Sequence, residues 1–204
     1  MPTVLVPRER FERWVANFAG RHGGAVRLTA ASGGLSGIAP DDSTFHASLP
    51  FGAEYDGPDE SAAFAAAVVR PDEWGVLLVR KGGFAVARLT EERLVASKVG
   101  QRHVQGRTKA GGQSQQRFAR RRDNQARQAY EAAADHAARL LGDGAPRVVT
   151  GGDHTAVDQV LADPRLRRVS VDERWLAVAD PRRAVLDQAV LDAAGIWVEV
   201  DNAS

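Results

Sequence analysis

From Trp74 onward the chain carries three strand-like runs and then one long helix with an apolar stripe, and this order restricts the fold more than any other feature. Trp74 to Val79 is a continuous apolar run, the pattern of a buried strand. Lys81-Gly82-Gly83 reads as a hairpin turn, because glycine supplies the backbone angles that such turns require. Phe84 to Leu89 is the second strand, alternating through Phe84, Val86 and Arg88, and Arg93 to Val99 is the third. From about Ser114 a long helix begins. Phe118, Ala126, Tyr130, Ala133, Ala137 and Leu140 form its apolar stripe, and Gly142 and Gly144 end it. Beyond it, Arg147 to Thr150 is a short buried strand and Gly151-Gly152-Asp153 a turn. Thr155 to Ala162 is a helix, Arg168 to Val171 a strand, Arg182 to Ala194 a helix and Ile196 to Val200 the last strand. Strands alternating with helices predict an α/β fold, a mixed sheet with helical cover.

The preceding residues have a different texture. Arg8 to Arg21 is an amphipathic helix, with Phe11, Trp14, Val15 and Phe18 at spacings of three and four, stopped by Gly23-Gly24. Val26 to Ala30 is a strand, and residues 31 to 43 read as loop because they are rich in Gly, Ser, Pro and Asp. Phe45, Ala47 and Leu49 alternate in a strand closed by Pro50. Residues 53 to 60 are loop, and Ser61 to Val69 is a short helix capped from Asp59, Glu60 or Ser61. The expectation is an N-terminal α+β extension over 1–70, packed on a main domain over 71–204.

Composition removes several classes of function. The 204 residues suffice for one domain or two small ones, and 44% apolar content is normal for a globular core. There is no cysteine, which excludes disulfides, thiolate zinc sites and a cysteine nucleophile. His22, His46, His103, His136 and His154 show no HxxxH or HExxH spacing, so no metal site is expected, and no cofactor is implied. No apolar run is long enough to span a membrane and the N-terminus has no signal-peptide pattern. A cytoplasmic monomer is the expectation.

The formal net charge of +1 conceals a sharp asymmetry. Residues 98 to 127 hold nine cations and one acid, a net +8, which leaves −7 for the rest. Charge segregated in this way points to a face that binds a polyanion. Arginine supplies 24 of the 27 cations, and arginine binds phosphate bidentately where lysine does not. Inside this segment, residues 100 to 113 form a basic loop with little apolar material. The loop ends in Gly111-Gly112-Gln113-Ser114, directly before the arginine-rich first turns of the long helix. Glycines let a backbone approach a ligand closely. A glutamine amide donates and accepts hydrogen bonds without adding charge.

The hairpin, the third strand, the basic loop and Gly111-Gly112-Gln113 followed by Arg117-Phe118-Ala119-Arg120 resemble the central domain of eukaryotic and archaeal class I peptide release factors. Over residues 74 to 200 the chain is most similar to the stand-alone Vms-like release factors, peptidyl-tRNA hydrolases of ribosome quality control with an actinobacterial branch. That resemblance implies a ribonuclease H-like α/β fold and hydrolysis of the ester that joins a nascent peptide to tRNA. It implies that Gly111 and Gly112 admit the loop to the reaction centre and that Gln113 positions the attacking water. It implies also that Arg102, Arg107, Lys109, Arg117, Arg120, Arg121 and Arg122 contact ribosomal RNA and the tRNA acceptor stem of peptidyl-tRNA on the large ribosomal subunit. Relatives often carry Gly-x-x-Gln, and Gly112-Gln113-Ser114-Gln115 fits that form, so Gln113 and Gln115 both stand as candidates. The chain leaves no room for a codon-reading domain, and codon-independent release fits better than stop-codon reading.

Other features have plainer readings. His103 is an ordinary loop histidine, and Asp153 before His154 caps the helix that follows. Asp123 has no carboxylate cluster near it in sequence that would make a nuclease site. Trp14, Trp74, Trp175 and Trp197 belong to the core. The arginine cluster also admits a reading as a solvated helix face, and the whole chain one as a ribosome- or tRNA-binding module without hydrolysis.

Overall fold

A computed structural model describes the backbone of residues 2–101, 113–144 and 147–203, and the side chains of these residues outside 101–126. The strands are β1 (Thr3–Val6), β2 (Arg27–Ala31), β3 (Gly34–Ile38), β4 (Thr44–Ser48), β5 (Glu73–Arg80), β6 (Gly83–Thr90), β7 (Arg93–Gln101), β8 (Arg147–Gly152), β9 (Ser170–Leu176) and β10 (Ile196–Asp201). The α-helices are α1 (Phe11–Arg21), α2 (Ser61–Ala66), α3 (Gln113–Leu141), α4 (His154–Leu161) and α5 (Arg183–Ala193). The chain divides into two compact units, one of Met1–Arg70 with Leu191–Ser204 and one of Pro71–Val190. The mixed α/β class expected from the alternation of elements is what the chain adopts. None of the described helices is long and apolar enough to cross a membrane.

In the first unit five strands run in the order β1-β10-β4-β3-β2, all antiparallel. Phe11, Val15 and Phe18 are the buried face of α1, one turn apart as the helical period requires. They meet Leu35, Phe45, Ala47, Phe64, Ile196 and Val198 in one core. Trp14 is only partly buried and stands edge-on to Phe45 at 5.0 Å. Two strands here were not anticipated. β1 is four residues long, too short for a period to show. β3 lies within 31–43, which composition assigned to loop. Ser32 and Gly33 carry φ of 52° and 72°, the two consecutive positive values of a tight hairpin turn, so the Gly and Ser content marks a two-residue reversal between paired strands.

The last strand also departs from expectation. The order of elements predicts a main domain that runs to residue 204, yet β10 pairs with β1 on one side and β4 on the other, inside the first unit's sheet. A local apolar run encodes a strand but not its distant partners.

In the second unit the order is β7-β6-β5-β8-β9, antiparallel from β7 to β5 and parallel from β5 to β9. Leu77, Val79, Phe84, Val86 and Val148 share one face, and α3 and α4 pack there. Ala133, Ala137 and Leu141 of α3 are buried with Ala156, Val157 and Val160 of α4. Small side chains let the α3 axis approach the sheet closely, and alanine is also the best helix former. Tyr130 and Leu140, expected in the stripe, are partly buried, while Ala134 and Leu141 carry burial that the stripe did not include. Phe118 and Ala126 lie outside the described side chains. Of the tryptophans, Trp74 is fully buried, whereas Trp14, Trp175 and Trp197 are partly so.

Gly151-Gly152 ends β8 rather than forming a turn after it. Gly152 has φ 105°, and a Cβ there would lie 2.3 Å from the Val79 carbonyl oxygen. That closeness lets the Asp153 N–H donate to the same oxygen at 2.8 Å. Asp153 then caps α4, accepting from the Ala156 N–H at 3.1 Å, as its position before a helix implied. β9 extends to Leu176, well past the predicted Val171. The charged residues Asp172, Glu173 and Arg174 hide it from a periodicity search, and its register against β8 shifts between Val148 and Thr150. Asp172 and Arg174 are nevertheless buried, with Asp172 3.6 Å from Arg147.

Candidate functional site

The segment that bears the candidate motif joins β7 to α3 in the second unit. Arg102, His103, Arg107, Lys109, Gly111 and Gly112 lie outside the described residues. Gln113 is the first residue of α3, and Gln115, Arg117, Arg120, Arg121, Arg122 and Asp123 follow on its backbone, with their side chains outside the described set. The motif thus stands at the head of the 29-residue helix. At 1.5 Å per residue, Gln113 is about 24 Å along the axis from Ala129, where described burial begins. The first N–H groups of a helix have no intrahelical acceptor, and the helix dipole favours negative charge beside them.

The other end of α3 is held firmly. Ala129, Ala133, Ala134, Ala137, Ala138 and Leu141 are all buried. Asp135 on α3 is ion-paired at 2.7 Å with Arg165, which is also bound at 2.6 Å by Asp163. The Arg165 side-chain hydrogen bond holds the Asp163 carboxyl down at about 2 and the Arg165 guanidinium is more basic than usual. This trio ties α3 to the turn after α4. Beside it lies a groove of about 580 Å³ whose lining includes Arg127, Tyr130, Asp135, Gln159, Asp163 and Arg165. Burial, and after it the charge of Asp153, raises the Tyr130 hydroxyl above its ordinary range. The groove holds both signs of charge and presents no nucleophile–base pair.

On the β7 side of α3, His136 stacks on Phe84 with ring centroids 5.4 Å apart, and Arg139 Nη2 lies 3.1 Å from His136 Nδ1. Neither residue figured among the sequence candidates. The three-residue spacing of His136 and Arg139 on a helix, opposite an alternating strand, was the signal available. His154 stacks on Trp175 at 3.5 Å, which accounts for it as a packing residue next to its capping neighbour Asp153.

Comparison with known proteins bears on the segment from β5 to β10. The family model described as the Actinobacteria/chloroflexi VLRF1 release factor matches residues 72–199. Among solved structures, the chain is similar to an archaeal translation termination factor, aRF1, with 14% identity and a TM-score of 0.43 over 77% of this chain and 48% of that one. It is similar to the Vms1 mitochondrial localization core, with 10% identity and a TM-score of 0.41 over 93% and 80%. Pelota of Archaeoglobus fulgidus follows, with 12% identity and a TM-score of 0.29 over 92% and 63%. The chain spans about half the length of the archaeal termination factor. A search of curated proteins returns no match. The family match covers more than half of the chain and takes in the Gly-Gly-Gln segment, the basic loop and all of α3; the chain belongs to the Actinobacteria/chloroflexi VLRF1 release factor family.

Proposed function

We propose that this protein is a codon-independent peptidyl-tRNA hydrolase that frees nascent peptide from tRNA on stalled or split large ribosomal subunits in the cytoplasm. The observation that carries the reading is Gly111-Gly112-Gln113 at the head of α3 in a chain of a release factor family. In the reaction, water attacks the ester carbonyl, the bond to the terminal ribose oxygen breaks, and that oxygen leaves with a proton as a hydroxyl. Nothing in this chain is needed as a nucleophile. Gln113, or Gln115 in the alternative form of the motif, orients the water, and a backbone N–H meets the charge that develops on the carbonyl oxygen. Gly111 and Gly112 leave the two positions before Gln113 without side chains, so that the backbone there can enter the reaction centre. Arg102, Arg107, Lys109, Arg117, Arg120, Arg121 and Arg122 hold the loop in register through RNA phosphates, contacts that position rather than catalyse.

The test is release of labelled peptide from purified large subunits carrying peptidyl-tRNA. Wild type releases it, and Gln113→Ala or Gln115→Ala lowers the rate by about a hundredfold while binding persists. Wild-type rates from both variants would remove the catalytic assignment. Binding without release by the wild type would leave a ribosome-binding module.

A further inference from the structure

The seam between α3 and β7 carries a cationic surface separate in sequence from the arginines at 117–122. Lys98 is the register partner of Val86, and Val86 belongs to the core beneath α3. Strand alternation therefore places Lys98 on the α3 side of the sheet, at the edge strand. Phe84 lies on the same face, two residues along β6, with its ring over Gly100: a Cβ at Gly100 would come 2.3 Å from Phe84 Cε1. His136 stacks on the Phe84 ring, its plane tilted by 26°. One helical turn on, Arg139 donates from Nη2 to His136 Nδ1 and from Nε to the Asp135 carbonyl, each at 3.1 Å. With Nδ1 accepting, the imidazole proton resides on Nε2, which becomes a donor. Burial, then the charges of Arg139 and Lys98, depress the His136 pKa against the opposing charge of Asp135, which favours the neutral ring. Among the described residues neither Lys98 nor Arg139 is ion-paired with a carboxylate, and the Asp135 side chain is engaged by Arg165. Two positive charges thus act on one imidazole, whose ring is braced by Phe84.

We infer that Lys98, His136 and Arg139 form a phosphate-binding site for an RNA backbone at the α3–β7 seam, extending the contacts made by the cations from 102 to 122. The inference rests on the reading of this protein as one that acts on RNA, and not on its catalysis. Arginine and lysine supply the charge, and the histidine supplies direction.

Binding to purified large ribosomal subunits, followed as a function of salt, tests it. Lys98→Ser and Arg139→Gln each weaken binding by about three- to tenfold, and the double variant lowers the slope of log affinity against log salt by about one. Arg139→Lys keeps the native slope that Arg139→Gln lowers, which a purely structural role for Arg139 would not predict. Unchanged affinity and slope in both single variants, with Tm unchanged, would overturn the site. Peptide release measured on the same samples separates the two claims. Release by the wild type with unaltered binding by the variants removes the site and keeps the hydrolase. Salt-sensitive binding that the variants weaken, without release, keeps the site and removes the hydrolase.

Discussion

At the scale of single residues, backbone angle and hydrogen-bond partner decide what each position tolerates. Gly152, with φ 105° and the Val79 carbonyl in the place of a Cβ, has no room for alanine. Gly152→Ala is expected to destabilise by about 1–3 kcal/mol, read as a lower urea midpoint. Asp153 is the adjacent cap, and Asp153→Ala costs about 1 kcal/mol in the same assay through the orphaned Ala156 N–H. Asp163 shows the opposite kind of control, by charge. Its pKa of about 2 lies below the 3.8 of an unfolded aspartate. Its contribution is therefore complete above about pH 4 and disappears as pH falls toward 2. Asp163→Asn should lower stability at pH 7 and flatten its fall between pH 4 and 2, as followed by thermal unfolding across that range; an unchanged acid limb would show that the Arg165 pair is fully screened.

At the scale of elements, α3 carries the candidate motif at one end and its anchorage at the other. Ala133 and Ala137 have no exposed surface, so their small size sets the distance between helix and sheet. Ala137→Leu overfills that contact and should cost about 1–3 kcal/mol. Leu141→Ala leaves a cavity at the end of the helix and should cost about 2–5 kcal/mol. Both are measured by denaturant titration, and retention of full stability by Ala137→Leu would mean that α3 can move outward without loss. The helix itself was legible in advance, from its apolar period and terminal glycines. Which residues of it are buried was less so: the stripe runs through Ala133, Ala134, Ala137 and Leu141 because both the sheet and α4 pack against it. Two partners on adjoining sides bury a broader arc of the helix than a single line of residues.

At the scale of the whole molecule, the chain's last strand closes the first unit's sheet. β10 sits between β1 and β4, so removing residues 195–204 takes out an interior strand and leaves β1 without a partner. A variant ending at Ala194 should lose the ordered first unit, seen as rapid proteolysis within residues 1–70; resistance equal to the intact chain would mean that β1 and β4 pair directly. Ile196 and Val198, both fully buried in that core, make the loss energetic as well as topological.

The sequence by itself determined the elements whose signal is local. The hairpin turn at Lys81-Gly82, the strands around it, the helices of both units and the Asp153 cap all follow from side-chain period, turn chemistry and capping within a few residues. It also determined the charge segregation of 98–127 and the Gly-Gly-Gln candidate, since both are properties of composition and order. Tertiary structure alone decided what depends on distant residues. It placed β10 between β1 and β4, turned a glycine-rich stretch into the β2–β3 hairpin, and buried Asp172 and Arg174 in a strand that charge had concealed. It also brought Lys98, Phe84, Gly100, His136 and Arg139 together across three elements. The physical reason is the same throughout: a period or a turn is written in neighbouring residues, whereas strand order and side-chain stacking arise when apolar faces from separate parts of the chain are buried against each other.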